Sequence, residues 1–251
     1  MQIVELKFLV EVYVLKIRIK FAKQGYMKFI GHLDIMRYFQ KAIRRAKIPV
    51  AMSEGYSPHQ IMSFAMPLGV GLTSEGEYLD IQTTQDVDLQ DMVQKLNSVM
   101  VEGMKVITCT EILSKTKAMT SVAAADYSVF LKPESFPYTD DWLSLQFQAF
   151  YHQTEIIVLK KTKKSEREMD IRPFIYEMHY KNDHKIFMKL ATGSVNNLKP
   201  ELVMQAFCQF ADIEYHPFQV QITRLELYGN IQNDSYSELK TLEELASFEN
   251  I

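Results

Sequence analysis

His32, Asp34 and His59 carry the side chains that general acid–base chemistry uses, the first two within the most cationic stretch of the sequence and the third shortly after it. A histidine that titrates near neutrality moves a proton to or from a ribose hydroxyl or a base, or meets a phosphate when protonated. The three converge if a helix starting near His32 packs beside the loop that carries His59. The alternative is that His32 and Asp34 terminate a helix through hydrogen bonds while His59 braces a turn. From Lys16 to Lys47 the chain holds ten Lys or Arg and one acid, Asp34, although the whole protein of 251 residues has a net charge of −3. Such segregation sets up a local field that attracts polyanions, and it points to one face. Directly after it, Ser53-Glu54-Gly55-Tyr56-Ser57-Pro58-His59 has the composition of an ordered loop that presents side chains, with Tyr56 placed to stack on an unpaired base. Lys28, His32, Arg37, Lys41, Arg44, Arg45, Ser53, Glu54, Tyr56 and His59 are therefore the expected RNA contacts.

Other chemistries lack their residues. Leu68-Gly69-Val70-Gly71-Leu72-Thr73-Ser74-Glu75-Gly76 lacks the glycine spacing of a dinucleotide loop, and no Gly-Lys-Ser/Thr occurs for a phosphate loop. A plain hairpin loop is the simpler role, with Gly69 or Gly71 allowing a backbone to approach a sugar-phosphate chain. Two cysteines, Cys109 and Cys208, form neither a knuckle nor a disulfide framework and read as small core residues of a reducing compartment. No HExxH helix or cysteine triad is present, so neither metal nor cofactor is expected. A second basic run, Lys160, Lys161, Lys163, Lys164 and Arg167, is offset by Glu166, Glu168 and Asp170 and reads as a solvated turn.

Around these residues the hydrophobic pattern lays out the elements. Ile17, Ile19 and Phe21 alternate with Lys16, Arg18 and Lys20, a half-buried strand with a basic outer face. From Leu33 to Ala46 the period becomes helical, with Met36, Phe39, Ile43 and Ala46 on a core stripe and Arg37, Lys41, Arg44 and Arg45 opposite; Pro49 stops it. Strands at 61–64 and 77–82, a helix capped by Asp88 and a strand at 104–110 complete a β-α-β-β-α-β order. A small-residue linker follows near 121–125. The order then recurs through a strand at 127–131, a helix at 141–151, a strand at 156–161, a hairpin turning near Asn182-Asp183, a helix at 200–210 and a strand at 220–227. The expected fold is α+β, with two ferredoxin-like (βαββαβ) domains in tandem, antiparallel sheets and helices on one face. The expected domains are 1–118, 119–229 and an acidic tail over 230–251, the last either a docking helix with Leu239, Leu242, Leu245 and Phe248 or a frayed terminus. Charges at Glu5, Lys7 and Glu11 interrupt the apolar start, so neither a signal peptide nor a membrane anchor is expected there, and Val10, Val12 and Val14 suggest either a strand leading into the next one or an upstream extension with no settled structure.

The runs Phe21-Ala22-Lys23, Lys28-Phe29-Ile30-Gly31-His32-Leu33-Asp34, Arg37, Ala42 with Arg44-Arg45-Ala46, Pro49-Val50, Ser53 to His59, Ser63-Phe64, Leu68-Gly69-Val70, Ser74 to Tyr78 and Asp80-Ile81 resemble the radical-SAM-linked protein family. This is a bacterial domain of unknown function found beside or fused to radical-SAM proteins, often with a cobalamin-binding region. Asp170-Ile171-Arg172-Pro173 is similar to its second-half signature. The resemblance implies a radical-SAM protein as partner and assigns no reaction. The first half is also similar in layout to the ramp-type RNA-binding proteins of CRISPR systems, a likeness of architecture alone.

The resulting expectation is a cytoplasmic RNA-binding accessory that presents transfer or ribosomal RNA to a radical-SAM modifying enzyme, without itself being catalytic. Two alternatives stand beside it. One is an RNA-directed nuclease or base modifier using His32, Asp34 and His59; the other is a protein-binding subunit of the radical-SAM protein that touches no nucleic acid.

Overall fold

The computed structural model describes residues 15–113, 117–161, 166–232 and 237–248. The alternation at Val10, Val12 and Val14, and Lys163 and Lys164 of the second basic run, fall outside them.

The first half runs β1 (Lys16–Lys23), α1 (His32–Arg45), β2 (Met62–Ala65), β3 (Thr73–Gln82), α2 (Leu89–Asn97) and β4 (Met104–Glu111), with a 3-10 turn over Gly25–Phe29 before α1. Ile17, Ile19 and Phe21 of β1, Phe39 and Ile43 of α1, and Met92 and Leu96 of α2 share one core, each large side chain contributing about 1.5–3 kcal/mol by its burial. Asp88 caps α2 as expected, its Oδ1 accepting from the Asp91 amide at 2.7 Å. Lys47, at φ 55°, turns the chain out of α1 before Pro49 is reached.

The second half runs α3 (Ala118–Ser121), β5 (Val122–Leu131), α4 (Asp140–Tyr151), β6 (Ile157–Lys161), β7 (Glu166–Asp170), β8 (Ile175–Lys181), β9 (Lys185–Ala191), α5 (Pro200–Phe210), β10 (Val220–Gln232), β11 (Ser237–Thr241) and α6 (Leu242–Ala246). Its core is built on Val129, Met188, Phe147 and Phe207, the last two rings stacked 3.6 Å apart. The small-residue run read as a linker opens β5 instead, and Ala124 and Ala125 are fully buried. Small side chains there mark tight packing in a central strand.

Two separate ferredoxin-like domains are not what forms. The strands build one continuous nine-stranded mixed sheet in the order β4-β1-β3-β10-β5-β9-β8, with β2 added on β3 and β11 on β10, alongside six helices among the described residues. The halves join through a parallel pairing of β3 and β10, Thr73 opposite Thr223 and Ser74 opposite Arg224. A purely antiparallel arrangement is overturned with it. The strand over 156–161 does not enter the main sheet either, because β6 and β7 form their own two-stranded hairpin. At its base Asp170 Oδ1 accepts from the amides of Ile156 and Arg172, and the Arg172 guanidinium lies 4.3 Å from the Tyr151 ring centre. The physical reason for the single sheet is that β3 and β10, left as edges, would expose unpaired backbone donors and acceptors; side-chain alternation is silent about which strand satisfies them.

The join is pinned by charge. Arg224, 2% exposed, donates through Nε and Nη2 to Glu77 at 2.6–2.9 Å and through Nη2 to the Met66 carbonyl at 2.8 Å. Nearby, Thr73 and Thr223 share a hydroxyl hydrogen bond of 2.7 Å.

The basic outer face of β1 is also corrected. Arg18 is 1% exposed, paired through Nε and Nη2 with Asp80 at 2.8 and 3.0 Å, and donates to the Leu242 carbonyl at 2.6 Å. Lys20 pairs with Glu226 at 2.6 Å and lies 3.7 Å from Glu243. The acidic tail supplies the cover: β11 extends the sheet, and Leu242 and Leu245 of α6 are buried. A capping box between Thr241 and Glu244 starts α6, and these hydrogen bonds hold the Glu244 carboxyl below its usual range. Cys208 is buried and Cys109 half-buried, and burial pushes both thiols up to about 12. No helix among the described residues is long and apolar enough to cross a membrane.

Candidate nucleic-acid interface

The cations of α1 stay in solvent because the helix spends only one stripe on the core. Ile35, Phe39, Ala42 and Ile43 face inward. Arg37, Lys41 and Arg44, at four- and three-residue spacing, occupy the opposite stripe and are exposed. Asp34 in the first turn and Arg44 and Arg45 in the last complement the helix dipole. Arg37 is tied to Asp34 at 3.2 Å, an exposed pair of little energetic consequence. Arg44 Nε donates to the Gln40 carbonyl at 3.3 Å, and Arg45 reaches sideways to the Val99 carbonyl at 3.1 Å. No carboxylate lies within ion-pair distance of Lys41, Arg44 or Arg45 among the described residues.

The loop after α1 is a clamped hairpin. A bridge pairs Met52 with Gln60, and the Ser53 amide donates to the His59 carbonyl at 2.7 Å. Ser53 Oγ accepts from the His59 amide at 3.1 Å and lies 2.8 Å from its Nδ1. Gly55, at φ 104°, makes the left-handed bend at the tip that a side chain would resist. Glu54 is exposed and Tyr56 wholly so. A groove of ≈ 410 Å³ runs between loop and helix, lined by Arg44 and Gln40 on one side and Met52, Pro58 and His59 on the other. Thus the cationic stripe and the tyrosine hairpin meet, through Arg44 and His59.

The other end of α1 carries residues that sequence reasoning left unassigned. Tyr26, Phe29, Leu33 and Val70 are all more than half exposed, and Lys28 Nζ lies 5.2 Å from the Phe29 ring centre. The Gly71 amide donates to the Lys28 carbonyl at 2.8 Å, tying the glycine-bearing loop to the 3-10 turn. The one available signal was an aromatic pair, Tyr26 and Phe29, beside Gly25 and outside either hydrophobic period.

His32, Asp34 and His59 do not form one site. His32 sets its ring edge-on to Phe64 at 5.3 Å and lines a small cavity with Lys23, Glu77 and Leu68. Asp34 holds Arg37 in solvent, and His59 lines the groove at the far end of α1, beside Arg44. Twelve helical residues separate the two ends, roughly 18 Å at 1.5 Å per residue. Among the described residues no group of three or more His, Cys, Asp or Glu side chains is arranged to hold a metal ion. Lys23 and Glu77, both buried beside His32, were not singled out in the sequence, although each falls in phase with the apolar positions of its strand, Ile17, Ile19 and Phe21 or Leu79 and Ile81.

Comparison with known proteins gives one informative match. The model of a family described as "Uncharacterized protein conserved in bacteria (DUF2344)" matches residues 16–200. No curated protein matches the sequence. Among solved structures, an unknown protein from Galdieria sulphuraria is similar at 11% identity over 84% of this chain and 97% of that one, with a TM-score of 0.26.

Proposed function

This chain belongs to that bacterial family (DUF2344), and we propose that it is an RNA-binding accessory that presents a structured RNA, transfer or ribosomal, to a radical-SAM enzyme. One observation supports the RNA part above the rest: Arg44 of the exposed cationic stripe and His59 of the Tyr56 hairpin line the same groove. Arg37, Lys41 and Arg44 neutralise successive phosphates along the helix, and Tyr56, with its ring free in solvent, stacks on an unpaired base. His59, held by Ser53, fixes the hairpin and faces the backbone passing through the groove. The family resemblance of the motifs supports the radical-SAM partner, and the exposed Phe29, Leu33 and Val70 at the opposite end of α1 offer it an apolar contact.

Charge reversal tests the reading. In Arg37→Glu/Arg44→Glu, affinity for cellular RNA falls about tenfold or more and the slope of log K against log salt flattens by about 1.4, two phosphates at 0.7 each. Unchanged affinity and slope reject it. Copurification with the radical-SAM protein but no RNA, lost on the same reversal, supports the protein-binding alternative instead.

A further inference from the structure

One face of the second-half sheet carries aromatic rings that neither hydrophobic core uses. Along β9 and β5, Ile186, Met188, Val129 and Leu131 share a core with Phe147 of α4 and Phe207 of α5. The residues between them, Lys185, Phe187, Ser128 and Phe130, therefore stand on the opposite face. Antiparallel pairing aligns that face into rows. His179 of β8 lies opposite Phe187, Phe187 opposite Ser128, and Ser128 opposite Thr223. In the next row Lys181 lies opposite Lys185, Lys185 opposite Phe130, and Phe130 opposite Gln221. The open face of an antiparallel sheet ordinarily carries polar side chains. Here it holds Phe130 and Phe187, half-buried and packed against neither core.

Cations flank the rings. His179 stacks on Phe187 with ring centres 5.0 Å apart, and Lys181 Nζ lies 5.0 Å from the same ring centre. No carboxylate lies within ion-pair distance of the exposed Lys181 and Lys185 among the described residues. The acids of this face are engaged internally: Asp126 accepts from Tyr228 at 2.7 Å and lies 3.6 Å from Lys189, and Glu177 lies 3.4 Å from His179 Nδ1. Their row borders the rings on one side and the lysine row borders them on the other, which steers a polyanion toward Lys181 and Lys185. Phe187 and Phe130 occupy diagonal positions on adjacent strands, roughly 7–8 Å apart, within reach of two successive nucleotides. Rings on an open sheet face with cations beside them suit unpaired bases, each of which offers a π face that a duplex hides.

We infer that the open face of β8, β9 and β5 is a second nucleic-acid surface and that it takes unpaired nucleotides. Phe187 and Phe130 stack two bases, His179 extends the stack beside Phe187, and Lys181 and Lys185 meet the phosphates. The ligand class rests on the RNA reading above, but this surface shares no residue with the groove beside α1. The α1 stripe follows a backbone whether or not its bases are paired; the sheet face selects strands whose bases are free.

Binding of a fluorescein-labelled oligouridylate of about twelve nucleotides to the full chain, followed by anisotropy, tests this, with the same strand annealed to oligoadenylate as the comparison. Phe187→Ala and Phe130→Ala each weaken binding of the single strand about fivefold or more. They leave its salt slope unchanged, because a ring releases no counterion, and leave duplex binding as in wild type. Lys181→Glu/Lys185→Glu, at exposed positions that the fold does not need, weakens binding and flattens the slope by about 1.4, two phosphates at 0.7 each. Wild-type affinity in all these variants, with binding lost in Arg37→Glu/Arg44→Glu, overturns the sheet surface and keeps the α1 reading. The reverse pattern keeps the sheet surface and overturns α1, and a wild-type chain that binds neither RNA overturns both. Loss of a copurifying protein in ring variants whose RNA affinity is unchanged overturns the inference in favour of a protein-binding face.

Discussion

Strand β1 and helix α1 are neighbours in sequence and carry four Lys or Arg each, yet their cations have opposite fates. On β1, Arg18 and Lys20 meet Asp80, Glu226 and Glu243 beneath α6, and Lys23 is buried beside His32 and Glu77. On α1, Lys41, Arg44 and Arg45 stand in solvent without an acidic partner. A count of charges along the chain therefore overstates the field that a polyanion meets. Internally matched cations stabilise the fold and contribute little outside it; exposed ones act over a Debye length and are the ones that salt screens.

That contrast is broken most severely at the join. Arg224→Met leaves Glu77 buried and unpaired, and is expected to cost about 3–5 kcal/mol in urea unfolding. The matching change on the open helix, Arg44→Ala, stays within about 0.5 kcal/mol. Equal effects at the two positions would mean the buried pair is solvated. Next in size is the cover over β1. Leu242→Ala opens a cavity under α6 and is expected to cost about 2–5 kcal/mol. It also makes Lys20 accessible, visible as faster chemical labelling of that lysine. Unaltered stability would show that the acidic tail is not needed to match the β1 cations.

The smallest effect is a pH trend. The folded-state pKa of Lys23 is lowered, so between that value and 10.5 the unfolded chain binds more protons than the native one and stability rises with pH. Below the folded pKa both states are protonated and the cost of the buried charge is fully present; above 10.5 it is absent. The difference in unfolding free energy between wild type and Lys23→Met should therefore move in favour of wild type as pH increases through that window. A difference that is flat with pH would place the Lys23 ammonium in water.

Much of the element layout was legible because periodicity reports burial directly. Ile17, Ile19 and Phe21 at every second position, Phe39 and Ile43 at helical spacing, Asp88 before α2 and Pro200 opening α5 each carry their local reason within a few residues. The exposed stripe on α1 and the ordered Tyr56 hairpin were legible in the same way. Illegible were the relations between distant segments: Arg18 with Asp80, 62 positions apart, Lys20 with Glu226, 206 apart, and Arg224 with Glu77, 147 apart. Nothing in the pattern around Val122 to Ala125 distinguishes a linker from a central strand whose small side chains permit close packing.

By itself the sequence determined where most strands and helices lie and which apolar stripes turn to a core, since that choice depends on side-chain chemistry and on the 2.0 and 3.6 periods of the backbone. Only the tertiary structure decided that two halves share one sheet, that the acidic end of the chain covers the basic face of its first described strand, and that Lys23 is buried beside His32. Those outcomes depend on which unpaired strand edges and unmatched charges meet, and such meetings are settled by three-dimensional closure rather than by neighbours along the chain.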